Sequence, residues 1–147
     1  MLIDSHVHLE TFSIKEINEI MQRAKTAGIS AVISAGVDLE TSNKSVNLSK
    51  KFNDIFSGVG IHPMNISEDL NEESFLHIHS LALNNEKVLV MSEIGLDFTE
   101  NISTRKIQYD IFRQQIRIAL DLKIPIVFHS RESHQDVLRI LLEEKAY

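Results

Sequence analysis

Five short runs rich in Val, Ile, Leu, Phe and Ala recur along the chain, at residues 2–5, 31–35, 55–60, 88–92 and 124–129. Their apolarity is nearly continuous rather than alternating, which suits parallel strands buried on both faces. Between them lie helical patterns, at residues 13–27, 41–51, 71–84, 103–123 and 133–145. The first opens on a capping box, Ser13 with Glu16, and closes at Gly28. Its apolar stripe is Ile14, Ile17, Ile20, Met21 and Ala24; that of the longest is Ile107, Ile111, Ile118 and Leu122. Five βα units in succession imply a parallel sheet with right-handed crossovers. An open, doubly wound sheet and part of a (β/α)8 barrel both satisfy this pattern. The strand starts average about 30 residues apart, so eight units need about 250 residues, the usual barrel size. The length of 147 residues favours the open sheet, and the chemistry has to decide.

Composition narrows the class. An apolar fraction of 43 % and a charged fraction of 24 % are those of a globular domain. No apolar run reaches 18 residues, and the N-terminus lacks the pattern of a signal peptide, so a cytoplasmic location is the expectation. With no cysteine, disulfide scaffolds, thiolate metal sites and Cys nucleophiles are excluded. A net charge of −6 argues against a broad basic surface but leaves room for a metal-lined cleft.

In parallel α/β folds reactive side chains gather at the C-terminal ends of strands. That rule selects His6 and His8 after the first run, His62 after the third, Glu93 after the fourth and His129 at the end of the fifth. Residues i and i+2 of an extended chain share a face, so His6 and His8 can converge on one cation, with Asp4 on the same side. His77 and His79 have the same spacing but sit in a helical pattern. There they point about 200° apart and read as surface residues. Glu93 at a buried strand mouth needs a partner or a metal, and Gly95 permits a tight turn aiming Glu93 and Asp97 together. Asp97 by itself reads as a turn or cap residue beside the site, and His134 as a surface or capping residue. Arg131 suits an anionic substrate, with an ion pair to Glu132 or Asp136 as the plainer alternative. His6, His8 and His129 with Glu93, three imidazoles and one carboxylate, form a nitrogen/oxygen set suited to divalent cations, and the number of groups hints at two.

The segments IDSHVHLE, GVGIHP, SEIGLDF and IQYDIFRQQIRIALDLKIPIVFHSRES, in that order, resemble the TatD family of metal-dependent deoxyribonucleases, over residues 2 to about 142. The resemblance implies an α/β fold, a parallel (β/α)8 TIM-type barrel of which about five βα units are present. Residues 1–147 then form a single, incomplete domain with the last three units absent. It implies two divalent metal ions (Zn, Mg or Mn), with His6 and His8 on one, His129 on the other, and Glu93 bridging them as the catalytic carboxylate. His62 and Arg131 then lie near the substrate phosphate. The implied activity is cleavage of phosphodiester bonds in DNA by a metal-activated water, on single strands or 3′ ends. Ser92 stands where the family often has Gly, and Phe98 where it often has Tyr. Two later family segments, a His strand and an Asp strand, have no counterpart. The alternatives are hydrolysis of another ester, lactone or amide, or a truncated fragment that only binds. Such a fragment exposes a sheet edge and is expected to self-associate or to need the missing C-terminal part.

Overall fold

A computed structural model describes residues 2–99 and 103–147. Five parallel strands, β1 (Leu2–Val7), β2 (Ile29–Ala35), β3 (Ile55–Val59), β4 (Val88–Asp97) and β5 (Ile126–Arg131), alternate with five helices. The helices are α1 (Ile14–Thr26), α2 (Leu39–Lys51), α3 (Glu72–Leu83), α4 (Arg105–Leu122) and α5 (His134–Glu143), with a 3-10 turn at Pro63–Asn65. The sheet order is β1-β2-β3-β4-β5, parallel throughout. A doubly wound sheet reverses its strand order at a switch point. A strictly sequential order with right-handed crossovers keeps all helices on one face and curls the sheet into a barrel wall. The fold is therefore a partial (β/α) barrel, and the open-sheet alternative falls.

Helix ends follow their caps. The Ser13 side chain accepts from the Glu16 amide at 3.3 Å, and Glu16 returns a bond to the Ser13 amide at 2.8 Å. Gly28 terminates α1 at φ 86°, as its sequence position suggests. The helix expected from Thr41 begins two residues earlier, because Asp38 caps it through the Thr41 amide at 2.7 Å. The fifth strand begins two residues late. Ile124 lies just past α4, its amide closing the helix end on Ala119 O at 3.0 Å, and Pro125 follows.

Two apolar clusters join sheet to helices. Ile17, Met21, Val32, Leu48 and Ile55 tie α1 and α2 to β2 and β3. Val59, Met91, Ile94, Phe112, Ile116 and Ile140, among others, tie α4 and α5 to β3 and β4. The stripe expected on α4 is corrected. Ile107 is 44 % exposed, and the buried face is Gln108, Ile111, Phe112, Gln115, Ile116 and Ala119. Two glutamines hold places that a purely apolar reading assigns elsewhere, because their amides satisfy backbone groups of Asp97 at the end of β4 and of Ile61 just past β3.

Candidate metal centre

The fourth strand is where structure departs most from expectation. It does not stop at Ser92 but runs to Asp97, so Glu93 lies within the strand. Gly95 makes no tight turn: it pairs in register with His129. Between the pairs Met91↔Ile126 and Ile94↔Phe128, β4 spends one residue more than β5. Such a bulge re-aims a side chain without ending the strand. The Glu93 amide reaches Gly36 O at 2.9 Å, which ties this point of β4 to the end of β2.

Imidazoles from three strand ends surround the Glu93 carboxylate. On Oε2, His6 Nε2 lies at 3.3 Å, with His8 Nε2 and His62 Nε2 each at 3.9 Å. On Oε1, His129 Nδ1 lies at 3.3 Å. Two sets of three candidate ligands result, His6–His8–Glu93 and His62–Glu93–His129, each with its ligating atoms within 4.8 Å of one another. Glu93 is common to both. The i, i+2 argument for His6 and His8 holds: both reach the same oxygen.

The tautomers follow from what stands behind each ring. His8 Nδ1 faces Ala35 O at 3.0 Å, so its proton belongs there and Nε2 offers a lone pair toward Glu93. His62 is the reverse case. Its Nδ1 accepts from the Met64 amide at 3.1 Å, so a neutral His62 carries its proton on Nε2 and is a donor toward the cluster. Burial lowers the His62 pKa below its ordinary value, and the nearby His129 pushes the same way; the two rings sit 4.3 Å apart. By its tautomer, as a neutral N–H donor, His62 suits a hydrogen-bond acceptor on a ligand, although distance groups it with Glu93 and His129. His6 Nδ1 is buried with no hydrogen-bond partner. The donor set, the acceptors turned toward one another and this unpartnered nitrogen all fit divalent cations.

Asp97 is more than a cap. It is 1 % exposed, and its Oδ2 meets His129 Nε2 at 2.8 Å. Burial alone raises its carboxyl, but the Thr99 hydroxyl and amide and the His129 ring outweigh that and hold it at about 2. Asp4 accepts from the His6 amide at 3.3 Å and so supports the first strand's end. Arg131 is exposed at the rim; the ion pair weighed for it is absent among the described residues, and Asp136 pairs with Arg139 instead. His134 Nδ1 meets Ser130 Oγ at 2.6 Å. His77 and His79 face different neighbours, Asn43 and Asp121, both away from the cluster.

Sequence reasoning missed two features. Glu10, whose side chain is 4 % exposed, lies 3.5 Å from His8 Nδ1; its signal was the same two-residue step that links His6 to His8. The other is a pair of clamps from α4. Gln115 accepts from the Ile61 amide at 2.7 Å and donates to Ile61 O at 3.0 Å. Gln108 does the same to Asp97, at 2.9 and 2.8 Å. Seven residues apart on one helix face, they fix the backbone beside His62 and at Asp97. Gln115→Leu strands two buried groups of Ile61 and is expected to destabilise the fold by about 2–4 kcal/mol in urea unfolding. An unchanged midpoint would show that Ile61 finds other partners.

Residues 3–147 match the model of the family described as TatD related DNase. The chain is 33 % identical over 147 residues to the uncharacterized metal-dependent hydrolase YabD of Bacillus subtilis, covering 99 % of this chain and 57 % of that protein. It is 34 % identical over 124 residues to the 3′-5′ ssDNA/RNA exonuclease TatD of Cronobacter sakazakii, covering 84 % and 46 %. The crystal structure of YJJV, a TatD homolog from Escherichia coli K12, superposes with a TM-score of 0.86 at 24 % identity, over 97 % of this chain and 56 % of that one. The chain thus spans about half the length of the curated relatives it matches. On the family model and the ordered strand-end residues together, the chain belongs to the TatD related DNase family.

Proposed function

We propose that this chain carries the larger part of a two-cation centre for hydrolysing phosphodiester bonds of single-stranded DNA, working inward from 3′ ends. The observation that carries the reading is that Glu93 is common to both candidate ligand sets: His6, His8 and His62 approach Oε2, and His129 approaches Oε1. One carboxylate shared in this way suits two cations side by side. His6 and His8 would hold one cation and His129 the other, with Glu93 available to both; Zn, Mg and Mn all suit the donors. When bound, the cations supply Lewis acidity, which makes a water acidic near neutral pH and offsets charge building on phosphorus.

The chain's own residues do the rest. His8 and His129 are held in ligand-ready tautomers by Ala35 O and Asp97. His62 presents an N–H to an anion, and Arg131 at the rim offers a forked donor to a phosphate. Substrate polarity and single-strandedness follow the name of the Cronobacter relative, a 3′-5′ ssDNA/RNA exonuclease. We read residues 1–147 as one domain that is part of a larger barrel. Its open edges at β1 and β5, with Leu2, Ile3 and Phe128 exposed, are where further βα units or a second copy complete it. No helix among the described residues is long and apolar enough to cross a membrane.

Rates measured side by side on 3′-labelled single-stranded DNA and on ester and lactone panels test the reading. We expect nucleotide release from DNA that a chelator stops and added Mn2+ or Zn2+ restores. Turnover of lactones with none of DNA would move the chemistry to another electrophile, and turnover indifferent to the chelator would remove the cations.

A further inference from the structure

We propose that Asp97, braced by Thr99, is a positioning residue that sets the tautomer of His129 and thereby turns its Nδ1 lone pair toward Glu93. The inference rests on the metal-centre reading above and goes beyond it, since Asp97 belongs to neither set of candidate ligands.

Asp97 is held from several directions. Its Oδ1 is taken by the Thr99 amide at 2.9 Å and the Thr99 hydroxyl at 2.6 Å. Its main chain is clamped at both polar groups by Gln108. Oδ2 is left to His129 Nε2, at 2.8 Å. An ionised carboxylate only accepts hydrogen bonds, so the ring proton of a neutral His129 must sit on Nε2. Nδ1 is then an acceptor facing another acceptor, Glu93 Oε1, at 3.3 Å. That arrangement becomes favourable when a cation stands between them. With two donors already on Oδ1, Oδ2 is the oxygen left to accept the ring N–H. Carboxylates behind metal-ligating histidines orient the ring and raise its basicity, and their loss typically weakens metal binding about 10–100-fold. Behind His8 Nδ1 stand a backbone carbonyl at 3.0 Å and the Glu10 carboxylate at 3.5 Å; behind His129 Nε2 stands the Asp97 side chain.

The test uses the whole protein. Nitrogen-15 NMR of the imidazoles in metal-free protein, at about pH 9 where an ordinary imidazole is neutral, reads the tautomer directly. Calorimetric titration with Zn2+ reads the two sites. In the wild type His129 should be the Nε2–H form. Asp97→Asn can donate as well as accept, so the variant should show both tautomers of His129. It should also weaken one Zn2+ event about 10–100-fold while leaving the other in place. Thr99→Val, which removes one donor from Oδ1 and leaves Oδ2 free to rotate, should move both readouts the same way by less. Asp97→Asn protein with an unchanged His129 tautomer would overturn the proposal. So would equal weakening of both Zn2+ events together with a lowered melting temperature, since that marks a merely structural role. If the wild type takes up no Zn2+, the metal-centre reading fails, while the tautomer shift still decides the role of Asp97.

Discussion

Glu93→Gln should lower kcat/KM on single-stranded DNA by roughly a thousandfold or more while leaving the melting temperature nearly unchanged. The substitution preserves shape and removes charge. One of the two oxygens that His6, His8 and His129 approach becomes an NH2 group, which cannot ligate. Four imidazoles then surround a neutral amide, and nothing compensates two cations at once. A loss that large is about 4 kcal/mol of transition-state stabilisation. Substituting an ordinary buried ion-pair partner gives the opposite signature, with lost stability and modest change in rate. Activity within tenfold of wild type would remove Glu93 from the centre.

Gly95→Ala should destabilise the fold by about 3–5 kcal/mol in chemical unfolding, and weaken cation binding with it. Gly95 sits at φ 146°, a conformation that favours glycine. A Cβ there would stand 2.0 Å from His129 O, a backbone atom that cannot swing aside. The strand pair must open, and the residue that moves is itself a candidate ligand, so stability and binding fall together. Gly28→Ala is the control. Its φ is 86°, but nothing lies within 4 Å of the added carbon, so only the backbone preference is lost, about 1 kcal/mol. Equal effects at the two positions would mean that close approach of β4 and β5 contributes nothing.

These two positions also show what the sequence made legible. His6, His8 and His129 were readable because strand ends in parallel α/β folds collect chemistry, and because a two-residue step on an extended chain keeps two rings together. Glu93 was readable as a residue but not as a geometry. A bulge leaves no compositional mark, and Gly95 read as a turn when its use is close approach between two strands. The sequential strand order, which makes the fold a barrel wall, was foreshadowed only by family resemblance. Length pointed the other way. Gln108 and Gln115 were invisible for a physical reason: helical patterns place polar residues outside, and only knowledge of two unsatisfied backbone stretches, at Asp97 and Ile61, would call for an amide inside. Asp97 was underrated because an acidic residue after a glycine usually caps a turn. Its worth lies in His129, a partner 32 residues away.

Metal content at saturation tests the shared-carboxylate centre most directly. Whole protein is stripped with chelator, titrated with Zn2+ and read by calorimetry and elemental analysis, wild type beside Glu93→Gln. The account predicts two equivalents per chain for the wild type, and loss of tight binding at both sites in the variant. Two equivalents retained in Glu93→Gln, or a wild type that takes up none, would contradict it.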